Sequence, residues 1–359
     1  MKKMSVLKQI VFYFIASVIL PLFVTEGVLR IYNYVFPSHI FFHSKKMRHK
    51  RYRSPGHSMH YDFRLNKDGF VDVEFSKSKD SRTHRIIGIG DSFVYGLVPY
   101  KNNFLTLFEE RINLTSSNKF EVYNMGVIGI GPMEYLTNMV EEAIQYNPDE
   151  IWVFIYIGND IVQSKRKLYT YSYVASVYYY LKEIYKYQRG QVKSKVWIKE
   201  RKYSDLISNQ PEDLVHIRKT QGWFIDPLFN FSSKSVLESR IKDALHYINK
   251  MKLISDKMGI VFKVFILPDK IQFDLNLQKQ LIDLQKLEKN EYDFYQPNRI
   301  MHEGLNVLGI SYYDFYDDFK LSYQTQQLFR HNDIHWNIRG NELDTELLLQ
   351  LYSKDFSGN

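Results

Sequence analysis

His84-Arg85-Ile86-Ile87-Gly88-Ile89-Gly90-Asp91-Ser92-Phe93 is a short apolar run that ends in glycine and then turns polar. A run of this length and composition reads as a buried strand of a parallel sheet. The same rhythm recurs outward from it. Residues 104–112 have helical spacing, and 120–123 form a second short strand. Pro132 suits the first turn of a helix that carries Leu136, Met139, Val140, Ala143 and Ile144 on one face, and Asn147-Pro148-Asp149 ends it. Residues 150–157 (EIWVFIYI) are apolar almost throughout, which places a third strand at the centre of the sheet. Residues 161–230 lose the rhythm. It returns with Ser235 and Glu238, a capping-box pair ahead of Val236, Ile241, Ala244, Leu245 and Ile248, and Gly259 closes that helix. Residues 260–267 and 309–313 give fourth and fifth strands, and 338–352 the last helix. There is no internal repeat. Strands alternating with helices predict an α/β protein, a three-layer α/β/α sandwich with a central parallel sheet. Sites in such sheets form beyond the carboxyl ends of the strands.

The 359 residues are 45% hydrophobic and 16% aromatic, enough for one large domain or a domain with insertions. The formal net charge of +8 favours acidic partners without selecting one. There is no cysteine, which excludes disulfides, Cys-ligated zinc and a thiol nucleophile. Lys2, Lys3 and Lys8 precede an apolar run over 10–24, broken only by Ser17 and Pro21. With its flanks the run reaches across a bilayer, and the basic start puts the N-terminus in the cytoplasm and the rest outside it. A cleaved signal peptide is the rival reading. Glu26 and Arg30 continue the helical pattern and no small-residue cleavage site follows, so residues 1–30 read as an uncleaved single-pass anchor and 31–60 as a juxtamembrane linker.

Four segments fall at or just after strand ends. Gly90-Asp91-Ser92-Phe93 places a serine in a strand-to-helix turn, although Asp and Ser are also ordinary helix caps. Asn124-Met125-Gly126-Val127-Ile128-Gly129-Ile130-Gly131 lets backbone approach a ligand closely. It reads equally as a plain turn into a helix; a phosphate loop lacks its Lys-Ser/Thr pair. Gly158-Asn159-Asp160 offers a side-chain amide, or simply a helix cap. In Asp333-Ile334-His335-Trp336-Asn337 a carboxylate can orient an imidazole that takes a hydroxyl proton. A surface histidine or a metal ligand is the other reading there, and no second His/carboxylate pair stands at ligand spacing, so no metal and no cofactor is expected.

Together and in this order the segments resemble the SGNH (GDSL-type) hydrolase superfamily, in its membrane-anchored bacterial branch, over roughly 61–350. The resemblance implies a flavodoxin-like sandwich over 61–355 and acyl transfer through a covalent intermediate. It implies Ser92 as nucleophile, His335 as general base and Asp333 as its partner. The oxyanion hole would be the N–H groups of Ser92 and Gly129, with Gly126 as the fallback, and the Asn159 amide. The common family spacing is Asp-x-x-His; here position 332 is Asn and Asp333 lies two before His335, a spacing associated with branches that acetylate or deacetylate exopolysaccharides. Leu65-Asn66-Lys67-Asp68-Gly69-Phe70 and Leu267-Pro268-Asp269-Lys270 also resemble membrane-anchored members. The implied function is a serine esterase on an O-acylated, for example acetylated, glycan, a cell-envelope substrate or a small ester. An O-acyltransferase, an idle glycan-binding fold and a nucleotide binder are the alternatives.

Within 161–230, residues 164–203 hold eleven Lys/Arg, among them Lys165, Arg166, Lys167, Arg189 and Lys193, against Glu183 and Glu200. Tyr169, Tyr171, Tyr173, Tyr178, Tyr179, Tyr180, Tyr185 and Tyr187 are interleaved. The segment reads as a lid or cleft wall for an acidic glycan or anionic headgroups, or as a solvated helical excursion whose tyrosines pack on the body. Single-stranded nucleic acid would suit the composition but not the predicted topology, and no nucleic-acid partner is expected.

Overall fold

A computed structural model describes residues 6–36, 59–163, 168–188, 203–204, 208, 210–221, 234–286 and 292–357. Helix α1 (Val6–Val35) comes first. Among the described residues a central sheet is built from β1 (Thr83–Ile89), β2 (Lys119–Asn124), β3 (Glu150–Tyr156), β4 (Val261–Leu267) and β5 (Tyr312–Asp314). The helices that follow α1 are α2 (Ser92–Tyr95), α3 (Phe104–Thr115), α4 (Pro132–Glu141), α5 (Asp160–Gln163), α6 (Leu168–Tyr171) and α7 (Tyr173–Gln188). Then come α8 (Leu214–Gln221), α9 (Lys234–Met258), α10 (Leu275–Gln285), α11 (Gln296–Val307), α12 (Tyr316–Tyr323) and α13 (Ile338–Ser357).

All five strands run parallel, in the order β2-β1-β3-β4-β5. The most apolar segment, β3, is indeed the middle strand. Side chains alternate across the sheet and sort the core into two layers. Ile87, Ile89, Ile151, Val153, Ile155, Val264 and Ile266 face one way, against Leu136 and Met139 of α4, Ile241 and Ile248 of α9 and Leu305 of α11. Ile86, Trp152, Phe154, Tyr156, Phe265 and Leu267 face the other way, against Phe104 and Phe108 of α3, Leu281 of α10 and Leu348 of α13. Helices therefore cover both faces, as the alternation of the sequence requires. The first layer is mostly aliphatic and the second is richer in aromatic rings. The chain winds from β1 to β2 in one direction and to β3 in the other, so the crevice between the carboxyl ends of β1 and β3 is the switch point of the sheet.

Element ends follow local chemistry. Gly259 (φ +67°) closes α9, with the Ile260 N–H bonded to Ser255 O at 2.9 Å. The helix includes Lys234, so Ser235 lies inside it and does not cap it; the expected capping box is absent. The fifth strand is shorter and later than 309–313, because Gly309 (φ +62°) is spent closing α11. The N-terminal apolar helix, expected over residues 1–30, continues to Val35. The Glu26–Arg30 ion pair (2.6 Å) supports the extra turn, and Pro37 disfavours helical geometry at Phe36. Near its middle the winding loosens over Ile15–Ile19, ahead of Pro21, which has no N–H to give to Ser17. Residues 37–58 of the expected linker lie outside the described residues, as do 164–167, 189–202, 205–207, 209 and 222–233 of the expected insertion.

Phe154 is buried at the sheet centre, 4.8 Å from the Phe265 ring and 5.1 Å from Phe104. Phe154→Ala is expected to cost about 3–5 kcal/mol in urea unfolding at an unchanged m value, because the rings around it cannot collapse into the space.

Candidate active site

The turn after β1 carries the serine. Asp91 is the N-cap of α2: its Oδ1 accepts from the Phe93 N–H at 2.9 Å, which leaves Ser92 as the first helical residue. The capping reading of this segment thus holds for Asp91 and not for Ser92. The Ser92 hydroxyl is released toward the crevice, where its Oγ lies 2.8 Å from His335 Nε2 and 3.4 Å from Asp91 Oδ2. Ser92 is 5% exposed and His335 7%.

The imidazole arrives from the far end of the sequence, on a narrow loop. Phe329 bridges Trp336 in antiparallel fashion, Arg330 N–H donates to His335 O at 2.9 Å, and Asn332 turns the chain at φ +53°. Trp336 packs against Phe93, Phe104 and Phe319. Asp333 Oδ1 accepts both from the His335 backbone N–H at 3.0 Å and from Nδ1 at 2.6 Å. The two-residue spacing allows this double use, since a carboxylate naturally reaches the N–H two residues on. Nδ1 then carries the hydrogen and Nε2 is the lone-pair nitrogen facing Ser92.

Behind the loop sits a residue that sequence reasoning quoted without a role. Lys270 is 2% exposed, and its Nζ donates to Arg330 O (2.9 Å), Asp333 O (3.2 Å) and Glu212 Oε1 (2.6 Å). Glu212 Oε2 accepts from Asn332 N–H at 2.7 Å, and Asn332 Oδ1 accepts from Asp213 N–H at 2.7 Å. The described end of the 161–230 segment therefore clamps the histidine loop. A lysine three residues after the end of the apolar strand β4, at the carboxyl edge, was the available signal for Lys270; Glu212 lies in the segment without rhythm and gave none.

Asn159 follows β3 across the crevice. It is buried, its side-chain amide helps to lower the Asp91 carboxyl across the crevice, and its Oδ1 has no hydrogen-bond partner among the described residues. Asp160 tightens this turn: its Oδ2 accepts from Tyr156 N–H and from Tyr135 OH, each at 2.8 Å. The glycine loop runs beside β1, with Met125 N–H on Gly88 O and Val127 N–H on Gly90 O. Gly126 is glycine for contact: a Cβ there would stand 2.1 Å from the Tyr95 backbone N, and its N–H is already given to Asn124 Oδ1 at 2.9 Å. Gly129 has φ +71° and open space where a Cβ would point.

Burial raises the Asp91 carboxyl, opposed by the Phe93 N–H, His335 and Asn159. Burial also works on Asp333, but the His335 charge and hydrogen bonds, with Arg330 3.5 Å away, outweigh it and hold Asp333 down to about 2. Among the described residues no group of three or more His, Asp and Glu side chains is placed to hold a metal ion.

No family model and no curated protein sequence matches the chain. Among solved structures the chain is similar to an acetyl xylan esterase, AlAXEase, at 13% identity and TM-score 0.42, over 74% of this chain and 98% of that one. It is similar to the lipase/acylhydrolase from Enterococcus faecalis at 11% identity and TM-score 0.40, over 74% and 94%. A third is a catalytic mutant of Axe2, an acetylxylan esterase from Geobacillus stearothermophilus, at 11% identity and TM-score 0.41, over 77% and 95%.

A carboxyl depressed from 3.8 to about 2 stabilises the fold above the unfolded value, and the contribution vanishes as pH falls from about 4 to about 2. Asp333→Asn is expected to lose about 2 kcal/mol at pH ~5, with the gap to the parent protein closing toward pH ~2, in chemical unfolding followed by circular dichroism.

Proposed function

We propose that the protein is a membrane-anchored serine hydrolase of the SGNH type, with α1 as its anchor, a hydrolase domain over about 61–355 and its active site outside the cytoplasm. The reading rests above all on one contact, Ser92 Oγ to His335 Nε2 at 2.8 Å, with Asp333 on the other imidazole nitrogen at 2.6 Å. This is the distance at which an imidazole takes a hydroxyl proton.

In the proposed reaction Ser92 Oγ attacks an ester carbonyl as its proton passes to His335 Nε2. Asp333 holds the imidazole tautomer and balances the imidazolium. The Ser92 and Gly129 N–H groups and the Asn159 amide receive the oxyanion. The tetrahedral intermediate collapses, the leaving alcohol takes the proton from His335, and the acyl group remains on Ser92. Water, deprotonated by His335, then attacks the acyl carbon; the bond to Ser92 Oγ breaks, Ser92 takes the proton back from His335, and the acid is released. The substrate class proposed is an O-acylated glycan or another cell-envelope ester. A sugar hydroxyl in place of water would give an O-acyltransferase with the same residues.

Fluorophosphonate labelling of the full chain tests the nucleophile: the parent protein is expected to label on Ser92 and Ser92→Ala not at all. An unlabelled parent protein would mean an idle site. Asn159→Ala should cut turnover of p-nitrophenyl acetate by about 10²–10³-fold, the usual effect of losing one oxyanion donor. Lys270→Met should lower kcat by about a hundredfold with KM little changed, through a displaced histidine loop. Lys270→Arg should recover part of that loss, which a simple folding defect would not.

A further inference from the structure

The C-terminal part of α1 is built into the domain. Glu26 caps α7 by accepting from Tyr173 N–H (3.0 Å), Val174 N–H (2.9 Å) and Ser172 Oγ (2.9 Å). Arg30 Nη2 donates to Tyr171 O at 2.7 Å, Asn33 Nδ2 donates to Tyr173 OH at 3.1 Å, and Leu29 packs against the aliphatic core layer. Lys257, at the foot of α9, donates to Tyr34 O at 2.6 Å. The helix is thus docked, and α7 starts at the level where the apolar run of α1 gives way to Glu26 and Arg30.

Helices α6 and α7 are two-sided. Tyr169, Tyr173 and Val177 pack on the aliphatic core layer, and Ser176 is buried. Leu168, Tyr171, Tyr178, Leu181 and Tyr185 are 51–68% exposed. Within α7, Tyr178, Leu181 and Tyr185 recur after three and four residues, which is one stripe of a helix, and Leu168 and Tyr171 precede it on α6. Lys182 borders the stripe, and the sequence places Lys165-Arg166-Lys167 before it and Arg189 after it. Tyrosines with apolar neighbours and flanking cations are the composition of a helix lying in a membrane interface.

Resting on the reading of α1 as a membrane span, we propose that this stripe lies on the bilayer surface beside the point where α1 leaves it, as a second contact that fixes the height and tilt of the domain. The direction of α1 agrees. Its Tyr34 meets the foot of α9, next to the start of β4 and so at the amino edge of the sheet, while Glu26, about 12 Å back along the helix, meets the start of α7, just after Tyr169 reaches Met133 at the start of α4 on the carboxyl side. The span therefore rises on the side of the carboxyl edge, and Ser92 is turned toward the membrane, where it would meet acyl esters presented at the lipid surface.

The chain has no cysteine, so single nitroxide labels report cleanly. Leu181→Cys and Tyr185→Cys probe the stripe, Leu114→Cys on α3 is the exposed control, and Phe14→Cys probes the span. The full chain is reconstituted in phosphatidylcholine vesicles containing phosphatidylglycerol, and retained ester turnover reports folding. Oxygen-to-nickel-chelate accessibility by power-saturation spin resonance is expected to be roughly threefold higher at 181 and 185 than at 114, and higher still at 14. If 181 and 185 behave like 114 while 14 reports lipid, the stripe is in water and the proposal is overturned with the span intact. Water-like values at all of 14, 181 and 185 overturn the span and the proposal together. Exclusion of both reagents at 181 and 185 means a protein cover, such as a second copy, and also overturns it.

Discussion

A single imidazole must be held between its own loop's carboxylate and a hydroxyl 243 positions away in the chain, Ser92 against His335, in a crevice nearly closed to water. Much of the polar architecture at the carboxyl edge serves that constraint. The serine side is fixed by β1 and by the Asp91 cap. The histidine side depends on how α13 is seated: Thr345 Oγ1 donates to Phe104 O at 3.2 Å, and Asn341 Oδ1 accepts from the Phe104 N–H at 3.3 Å. Trp336, next to His335, fills the space between Phe93, Phe104 and Phe319. The pair thus shares one packing unit, and a shift of either element would open the 2.8 Å contact.

The clamp behind the loop is built from costly parts. A buried Lys270–Glu212 pair gains little net stability, because both groups leave water. Burial pulls the ammonium below the usual lysine range while Glu212 opposes that shift. What the pair supplies is geometry. Three acceptors around one ammonium fix the carbonyls of Arg330 and Asp333, and with them the direction of the Asp333 carboxylate. Glu212 comes from the segment between β3 and β4, the same long excursion whose α7 is capped by Glu26 of α1. One excursion therefore touches both α1 and the histidine loop.

Much of the architecture was legible because buried parallel strands leave a plain signature. The runs around Ile86, Val153 and Val264 are apolar on both faces, and each is followed by a polar or glycine turn. Helix ends at Pro132 and Gly259 were readable because their backbone geometry restricts the residue type, whereas α4 stops at Glu141, short of the expected end at Asn147, which instead closes a separate 3-10 turn over Ala143–Tyr146. Ser235 misled because a capping signal is local, and α9 already includes Lys234. Glu212 could not be found from the sequence, since nothing nearby distinguishes it from a solvated surface glutamate until Lys270 and Asn332 close around it.

Residue types and order along the chain were properties of the sequence alone: a serine after the first strand, glycines after the second, an asparagine after the third, and a histidine with an aspartate two before it. The α/β class and the apolar N-terminal helix followed likewise, because periodicity and apolar length are local quantities. Only the tertiary structure decided which groups meet. It gave Asp91 the cap and freed Ser92, gave one Asp333 oxygen two partners on His335, engaged the Gly126 N–H and left open space at Gly129, and seated α1 on α7. Such contacts depend on strand order and on packing between residues far apart in the chain, and no window of sequence contains both partners.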